Sequence, residues 1–500
     1  MDHRHGFLNG LDEKLEYSKN KPAFLHPSSR WTSVLTVNNN RAQHRAWGLW
    51  TLGSVRKIKI LSFLFGLMVT VLIMASYILT RDQKGLYLTP SPYHLTIESH
   101  PAQLPLNLSF ATDYTPSGLS RPQIFSAIPR KFLPHLKNPC WYEEFFGNIT
   151  ADPYGKNLYA LYSKRFQAIY DYLRRAFPAH LHQHAGRLYR LRCLPFFYII
   201  GQPKCGTTDL FDRLRLHPEV HFTTMKEPHW WTRKRFGIIR LSNGFHYPYP
   251  LNDYLDVFDQ AANHIRDHLT SNSSKSHKKV NIIIGEASAS TMWDNNAWDH
   301  FYNNGTDVEP PFLVQDFIHA VQPDARFIVM LRDPVESRLY SDYLYFGMAN
   351  KSVEDFHERV SESLYLFEGC LAERSIRSCI YNTTLNNLMP VRLQVGLYVI
   401  YLLDWLSVFS REQILILRLE DHAANRKITM RRVFKFLQLG PLTLQKEADI
   451  TKSPASNTRR PANRNLGPML PITKEILQSF YKPFNQRLAQ VLRDPAFLWT

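Results

Sequence analysis

A short loop with two glycines, a lysine and two threonines follows an apolar run and precedes a helical pattern. The loop reads Gly201-Gln202-Pro203-Lys204-Cys205-Gly206-Thr207-Thr208. Backbone N–H groups of such a loop, together with the N-terminus of the next helix, bind phosphate. Nucleoside triphosphatases carry a lysine directly after the second glycine, whereas this chain has Thr207 at that position and its lysine at Lys204. The spacing predicts a phosphate site adapted to a donor other than ATP.

Two further segments carry groups that can act on a phosphorylated ligand. Arg332-Asp333-Pro334 directly follows a strand pattern, where a guanidinium can make a bidentate phosphate contact. Lys226-Glu227-Pro228-His229-Trp230-Trp231 places a carboxylate beside a lysine, a histidine and two tryptophans. This surrounding favours Glu227 as a general base in a partly dry site. The alternative for Glu227 is a surface ion pair with Lys226.

Short apolar runs alternate with helical patterns along the chain, which predicts an α/β fold with a central parallel sheet flanked by helices. The strand patterns are residues 196–200, 281–284, 326–331 and 414–417. Helical patterns cover residues 391–409 and 429–439, and Gly440-Pro441 stops the second. Because the carboxyl ends of parallel strands meet at one edge, we expect the loops after the strands to form the site.

An apolar segment near the N-terminus predicts one transmembrane helix. Residues 60–80 are 21 positions without a charge, long enough to span a bilayer; a buried core helix is the alternative. Arg56, Lys57 and Lys59 precede the span, so the positive-inside rule makes residues 1–59 a cytoplasmic tail. Residues 81–125, rich in Pro, Ser and Thr, predict a lumenal stem, and residues 126–500 a lumenal globular domain.

Glycosylation sequons and cysteines agree with this orientation because all of them follow the span. The N-x-[ST] sequons lie at Asn107, Asn148, Asn272, Asn304, Asn350 and Asn382. In an oxidising compartment some of the five cysteines should pair. Cys370 and Cys379 can close a small loop, and Cys140 with Cys193 is the next plausible bridge. Cys205 is then left in the phosphate loop, where a small loop-filling role is preferred to a nucleophilic one.

The charge of the chain bears on its partner. It holds 60 Lys and Arg against 43 Asp and Glu, with a net charge of +17. A basic domain on the lumenal side meets no nucleic acid, so the excess favours an anionic ligand such as a sulfated glycan. A solvated basic surface is the alternative. No Cys/His cluster has metal-ligand spacing, and we expect no metal.

These segments together resemble the sulfotransferases that use 3′-phosphoadenosine 5′-phosphosulfate (PAPS). The family pattern G-x-x-K-x-G-[ST]-[ST], which binds the 5′-phosphosulfate, matches residues 201–208. The pattern R-[DN]-P with a serine on the next helix, which binds the 3′-phosphate, matches the segment from Arg332. A basic loop near the C-terminus resembles the one that closes over the nucleotide. The resemblance implies a P-loop-like sulfotransferase fold and donor-binding roles for Gly201, Lys204, Cys205, Gly206, Thr207, Thr208, Arg332, Ser341, Thr458, Arg459 and Arg460.

The acceptor side resembles the glycosaminoglycan-modifying branch of that family. Its E-x-H-[FW]-[FW] element matches residues 227–231. The match implies catalytic roles for Glu227 and Lys204, and acceptor contacts from Lys226, His229 and Trp230. Longer segments, at 138–145, 226–235 and 285–293, resemble members that sulfate the 6-hydroxyl of N-acetylgalactosamine 4-sulfate in chondroitin and dermatan sulfate. The resemblance also implies a single-pass type II protein of the Golgi membrane.

Other functions stay open at this point. A sulfotransferase acting on another glycosaminoglycan position carries the same donor motifs. A non-catalytic lumenal glycan-binding protein keeps the basic surface, although it does not need both phosphate loops together with Glu227. A lumenal kinase is disfavoured because Thr207 stands where the kinase lysine is required.

One departure from the family pattern concerns the serine after Arg332. The family places it eight positions after the arginine, whereas Ser341 lies nine positions after Arg332. One extra residue turns a helix by roughly 100°. Unless the loop before the helix absorbs this shift, Ser337 or Asp342 faces the nucleotide in place of Ser341.

Overall fold

The computed structural model describes residues 127–223, 225–238, 247–271, 280–301, 305, 308–346, 351–456 and 466–499. All of them belong to one compact unit, Tyr93–Thr500. The predicted cytoplasmic tail (1–59), membrane helix (60–80) and stem (81–125) lie outside the described residues, so those predictions stay untested. Within the described ranges, no helix is both long and apolar enough to cross a membrane.

The strands of the described chain form two sheets. In chain order they are β1 (Cys140–Phe145), β2 (His182–His184), β3 (Arg187–Cys193), β4 (Phe197–Gly201), β5 (Val220–Phe222), β6 (Ile283–Ala287), β7 (Arg326–Leu331) and β8 (Ile414–Arg418). The larger sheet has the order β5-β6-β4-β7-β8, and all of its strands are parallel. The smaller one is an antiparallel ribbon of order β1-β3-β2.

Helices connect and cover the strands. They are α1 (Leu158–Tyr162), α2 (Lys164–Ala176), α3 (Thr207–Leu214), α4 (Leu251–Asp256), α5 (Asp259–Ser271), α6 (Trp298–Phe301), α7 (Val314–Val321), α8 (Tyr340–Phe346), α9 (Val353–Leu371), α10 (Ile376–Tyr381), α11 (Thr383–Leu388), α12 (Tyr398–Leu406), α13 (Leu419–Ala424), α14 (Arg426–Phe436), α15 (Leu444–Lys452) and α16 (Pro471–Leu492). A π-helical turn, Pro334–Leu339, precedes α8.

The parallel sheet is buried on both faces, as its continuous apolar strands predict. Along β4, Tyr198 and Ile200 enter one hydrophobic core, whereas Phe197 and Ile199 enter a second core on the opposite face. This alternation follows from the two-residue period of a strand. The predicted α/β fold with a central parallel sheet flanked by helices is therefore confirmed.

The bounds of one predicted strand are wrong. The pattern at 281–284 corresponds to β6, which begins two residues later and extends through Gly285 and Glu286. A Cβ at Gly285 would lie 2.4 Å from the ring of Phe197 and 2.6 Å from that of Phe222. Gly285 therefore belongs inside the strand because neighbouring aromatic rings occupy the space of a side chain, and it does not end the strand.

The predicted helix at 391–409 is also shorter than expected. A 3₁₀ turn, Leu393–Gly396, precedes α12, which covers only Tyr398–Leu406. Gly396 packs so closely on Tyr481 that a Cβ would lie 2.7 Å from its ring. The pattern at 429–439 is α14, which begins earlier because the Asn425 side chain accepts from the N–H of Ile428.

Both predicted disulfide bonds are present. Cys140 pairs with Cys193 and joins facing positions of β1 and β3. Cys370 pairs with Cys379 and joins the end of α9 to α10. Among the described cysteines only Cys205 is free, and it is buried.

Candidate active site

The phosphate loop joins β4 to α3, as predicted. Gly206 is the N-cap of α3 with φ 88°, and a Cβ there would lie 2.5 Å from Leu419. Only glycine fits this position, on grounds of both conformation and space. No side chain of the described residues caps α3, so the backbone N–H groups at Thr207 and Thr208 are left for an anionic ligand.

The lysine and cysteine of this loop have different surroundings. Lys204 has φ 65°, and its ammonium lies 2.9 Å from the centroid of the Tyr345 ring. The Sγ of Cys205 lies 3.7 Å from the hydroxyl of Tyr398. Burial raises the pKa of Cys205 to about 11, so the thiol stays neutral, as a loop-filling residue would.

The second predicted anion site lies beside the first, because β7 is the neighbour of β4 in the sheet. Arg332 follows β7, and its Nη1 donates to the carbonyl oxygen of Lys204 at 3.2 Å. The same Nη1 lies 3.5 Å from the Oγ of Ser341. Tyr398 donates to the carbonyl oxygen of Arg332 at 2.8 Å and fixes the strand end.

The π-helical turn explains why Ser341 faces Arg332 despite the extra residue. The N–H of Arg338 donates to the carbonyl oxygen of Asp333, five residues earlier, at 3.1 Å. A π turn contains one residue more than an α turn and therefore absorbs the insertion before α8 begins. Asp342 points elsewhere, since its carboxylate binds Arg392 at 2.5 and 2.8 Å. Asp342 is thus not the partner of Arg332, and the side chain of Ser337 lies outside the described part of the structure.

Glu227 lies in the loop after β5 and is tied to the same sheet edge. Its N–H donates to the carbonyl oxygen of Ala287, at the end of β6, at 2.8 Å. Its Oε1 lies 2.6 Å from the Nζ of Lys226, and its Oε2 lies 3.7 Å from the Nε2 of His229. The ion pair with Lys226 therefore exists, but Lys226 is only 10% exposed while Glu227 is 38% exposed. The carboxylate is the accessible member of the pair.

The electrostatics of this loop keep Glu227 ionised. Burial raises the pKa of the carboxyl, but the neighbouring His229 ring and the charge of Lys226 outweigh it, and its pKa lies well below its usual range. Burial lowers the pKa of His229, which favours a neutral imidazole. An ionised carboxylate at the edge of a half-dry site is able to accept a proton.

Two serines after β6 orient His229. Ser288 Oγ accepts from the N–H of His229 at 3.0 Å, and Ser290 Oγ lies 2.7 Å from its Nδ1. Ser290 also contacts the hydroxyl of Thr232 at 2.9 Å. No motif of the sequence marks these serines as functional, although their position directly after a strand is a signal for such a role.

Trp230 lies beneath the loop. Its ring is 3% exposed, stacks on Tyr254 at 4.8 Å and donates from Nε1 to the carbonyl oxygen of Tyr249 at 3.0 Å. Trp230 therefore supports the Glu227 loop from the core side and offers no open face to an acceptor sugar.

The predicted basic-loop residues Thr458, Arg459 and Arg460 lie outside the described residues. The chain that leads to them is fastened to α3. The N–H of Ser456 donates to Asp209 at 2.8 Å, and Arg213 donates to the carbonyl oxygens of Ile450, Ser453 and Pro454. The helix that follows the phosphate loop thus also anchors the segment before the predicted basic loop.

The remaining predicted sites are only partly covered. Asn148 is exposed and Asn382 caps α11 through its Oδ1, while Asn107, Asn272, Asn304 and Asn350 lie outside the described residues. Their glycosylation stays a prediction. In the described ranges no group of His, Cys, Asp and Glu side chains has the arrangement of a metal site.

Comparisons with known proteins agree with this arrangement. A model described as Sulfotransferase family matches residues 195–442, which include both anion loops and Glu227. Carbohydrate sulfotransferase 15 of Homo sapiens is 55% identical and the alignment covers 96% of this chain and 92% of that protein. Carbohydrate sulfotransferase 15 of Rattus norvegicus is 58% identical, covering 94% and 91%.

Among solved structures, a sulfotransferase from Alicyclobacillus acidocaldarius aligns with 60% of this chain and 96% of its own, at 21% identity and a TM-score of 0.35. The identity to the two mammalian proteins extends over nearly the whole of each chain. This chain therefore belongs to the sulfotransferase family, among the carbohydrate sulfotransferases.

Proposed function

We propose that this protein transfers a sulfuryl group from PAPS to the 6-hydroxyl of N-acetylgalactosamine 4-sulfate in chondroitin or dermatan sulfate, which gives 4,6-disulfated residues. The observation that carries the reaction type is the placement of the ionised Glu227 at the same sheet edge as two anion loops. The acceptor is supported by the long segments that resemble enzymes of this specificity.

The donor side suits a ligand with two separate anionic groups. The uncapped N-terminus of α3, with Gly206 in the left-handed conformation, suits the 5′-phosphosulfate. Arg332 and Ser341, which lie within 3.5 Å of each other, suit the 3′-phosphate. PAPS supplies the activated sulfuryl group.

Residues near the acceptor and residues near the donor carry out different parts of the reaction. Glu227 accepts the proton of the sugar hydroxyl that attacks the sulfur. His229 keeps the carboxylate in place and is itself held by Ser288 and Ser290. Lys204 neutralises the negative charge that develops on the leaving nucleotide, and positioning and electrostatics supply most of the acceleration.

We also propose a Golgi location with a single membrane helix at 60–80 and a lumenal catalytic domain. The support is the uncharged apolar segment, the one-sided distribution of sequons and the two disulfide bonds, which are typical of an oxidising compartment.

The test supplies the purified protein with ³⁵S-labelled PAPS and a panel of acceptors. The panel contains unsulfated chondroitin, chondroitin 4-sulfate, dermatan sulfate and heparan sulfate, and disaccharide analysis locates the new ester. We expect label in 4,6-disulfated N-acetylgalactosamine. Label on heparan sulfate or at another hydroxyl would show that the proposed acceptor is wrong and identify the actual one. Glycan binding without any label would favour a non-catalytic binding protein.

A further inference from the structure

Three consecutive cations follow the Glu227 loop, and their surroundings differ. Arg233 pairs with Asp294 at 2.5 Å. Arg235 donates to the carbonyl oxygen of Trp231 and packs on the rings of Phe236 and Phe317. The ammonium of Lys234 lies 4.3 Å from the centroid of Tyr159 and 5.0 Å from that of Tyr249. Among the described residues, no carboxylate forms an ion pair with Lys234.

The environment of Lys234 is unfavourable for a cation unless an anion joins it. Its side chain is half-buried, and desolvating an ammonium without a counter-ion costs free energy. Burial accordingly lowers the pKa of Lys234 to about 8. Two aromatic faces offset only part of this cost. Binding an anion would return the missing Coulomb energy.

The rings of Tyr159 and Tyr249 form a cage around the ammonium of Lys234. This cage is attached to the proposed catalytic loop. The hydroxyl of Tyr159 donates to the carbonyl oxygen of Pro228, next to Glu227, at 2.9 Å. The N–H of Lys234 donates to the carbonyl oxygen of His229 at 3.0 Å, and the N–H of Tyr249 donates to that of Lys234 at 2.9 Å. The cation is therefore held at a defined position relative to the base.

Two exposed tyrosines lie close in the chain to the two rings around Lys234, since Tyr162 follows Tyr159 and Tyr247 precedes Tyr249. Tyr162, at the end of α1, is 70% exposed and Tyr247 is 87% exposed. Tyr162 is three residues after Tyr159 on α1, so both share a helix face. Burial raises the pKa of Tyr249, and Tyr162 adds a smaller contribution. A tyrosine ring combines an apolar face with a polar tip, which suits the two kinds of surface that a sugar ring presents.

Lys226 is less suited to this task. Its ammonium already binds Glu227 at 2.6 Å and is 10% exposed. We propose that Lys234, held between Tyr159 and Tyr249, is an acceptor subsite that binds an anionic substituent of the glycan, a sulfate ester or a uronate carboxylate. The inference rests on the proposed function, because it takes the acceptor to be an anionic glycan.

The test compares Lys234→Gln with Lys234→Arg and with a matched control, Lys482→Gln, which removes the same charge from an exposed position of α16. With chondroitin 4-sulfate we expect Lys234→Gln to raise KM for the acceptor about tenfold, the effect of losing about 1.4 kcal/mol of binding. Since the donor site is untouched, kcat and the KM for PAPS should stay within twofold. Lys234→Arg keeps the charge and should recover most of the affinity.

Two acceptor arms identify the anion. Unsulfated chondroitin retains its carboxylates, and carboxyl-reduced chondroitin 4-sulfate retains its sulfate esters. Because unsulfated chondroitin lacks the proposed acceptor residue, this comparison uses the Kd of the oligosaccharide. If Lys234 binds sulfate, the Kd difference between wild type and Lys234→Gln disappears with the unsulfated chain. If it binds the carboxylate, the Kd difference disappears with the carboxyl-reduced chain.

A binding measurement keeps the result independent of turnover. Fluorescence titration of a chondroitin 4-sulfate oligosaccharide, with the desulfated nucleotide present, should show the same tenfold loss in Lys234→Gln and none in Lys482→Gln. Thermal unfolding should show no loss of stability, because the variant removes a desolvated charge. A lower Tm with unchanged KM and Kd would make Lys234 a structural residue and overturn the subsite.

Failure of the inference and failure of the proposed function are distinguishable. If wild type sulfates chondroitin 4-sulfate and Lys234→Gln has the same acceptor KM, only the subsite is wrong. If wild type transfers no sulfate to chondroitin, the proposed acceptor is wrong. The same variants are then compared on the anionic glycan that the panel identifies, and equal affinity there would reject the subsite as well.

Discussion

The donor side and the acceptor side of the site are built in different ways. The donor side consists of two short loops after the adjacent strands β4 and β7, and backbone groups around Gly206 form much of it. The acceptor side is assembled from side chains of separate segments. Glu227 and His229 come from the loop after β5, Ser288 and Ser290 from the end of β6, and Tyr159 from α1.

This difference separates the residues that recognise the donor from the residues that recognise the acceptor. A phosphate site made of backbone groups binds any ligand with suitably placed phosphates, so its residues indicate the identity of the donor. Side chains from distant segments can be substituted one at a time, so they determine and indicate the acceptor. Variants of the two sides should accordingly change different kinetic constants, with donor variants changing PAPS binding and acceptor variants leaving it intact.

The largest expected effect is that of Glu227→Gln. The amide keeps the size of the side chain but cannot accept the hydroxyl proton, so we expect kcat to fall about a thousandfold, within the range that general bases contribute. Affinity for the desulfated nucleotide, measured by calorimetry, should not change. The exposed Glu412→Gln is the matched control. Near-normal turnover in Glu227→Gln would mean that the base is another group.

Lys204→Ala should change both the KM for PAPS and kcat. The ammonium neutralises charge in the nucleotide, so its loss weakens nucleotide binding and also the transition state. We expect about a hundredfold loss of kcat/KM for PAPS, comparable to removal of one oxyanion donor. Initial rates at varied PAPS, with Lys482→Ala as the control, measure this effect. A normal KM for PAPS would separate Lys204 from the donor site and break the comparison between the two sides.

The π-helical turn before α8 gives a smaller and sharper test. Ser341→Ala should raise the KM for PAPS about tenfold, because one hydrogen bond to a charged group is lost, and should leave stability unchanged. Asp342→Asn should do the opposite. It breaks buried ion pairs with Arg338 and Arg392 and should lower the free energy of unfolding by about 3 kcal/mol, with the KM for PAPS unchanged in the protein that folds. If Asp342→Asn raised the KM for PAPS and Ser341→Ala lowered stability, Asp342 would face the nucleotide in place of Ser341.

The donor side was also the easier one to predict from the sequence. The phosphate loop and Arg332 follow apolar runs at strand ends, and both signals are local. The position of Ser341 was not predictable from spacing alone, because spacing does not distinguish a π turn from an α turn. The sequence named both disulfide bonds only as candidates, Cys370–Cys379 because the two are close in sequence and Cys140–Cys193 as the next plausible bridge, and both are present.

The acceptor side was predicted only where one segment carries it. Lys226, Glu227 and His229 are consecutive enough to be noticed. The cage of Lys234 depends on Tyr159, which lies 75 positions earlier in the chain, so no local pattern reports it. Glu286 was missed because the predicted strand ended at residue 284, before the close aromatic packing on Gly285 that keeps β6 extended.

Glu286 offers the smallest and last test of the acceptor side. It is 1% exposed on β6, its Oε2 lies 3.5 Å from the Tyr254 hydroxyl, and burial raises its pKa to about 7. The carboxyl is therefore neutral below pH 7 and gains a negative charge above it, where it interacts with Glu227 and Lys226. An added negative charge should repel an anionic acceptor, so we expect the acceptor KM of wild type to rise about twofold to threefold between pH 6 and pH 8, a Coulomb effect of less than 1 kcal/mol. Glu286→Gln stays neutral and should show no such rise, while the KM for PAPS should have the same pH dependence in both proteins.

Stability gives the sign of the same ionisation independently. Because the folded-state pKa of Glu286 is raised above its ordinary value near 4.5 to about 7, the native state binds more protons than the unfolded state between these values, and wild type loses stability as pH rises through this window. A shift of this size corresponds to about 3 kcal/mol at pH 8. Urea unfolding should therefore show Glu286→Gln gaining stability relative to wild type from pH 5 to pH 8, with no further gain above pH 8. A constant difference across this range would mean that Glu286 is ionised throughout. The pH response of the acceptor KM would then have another source, and the acceptor side would contain one more fixed charge than its burial implies.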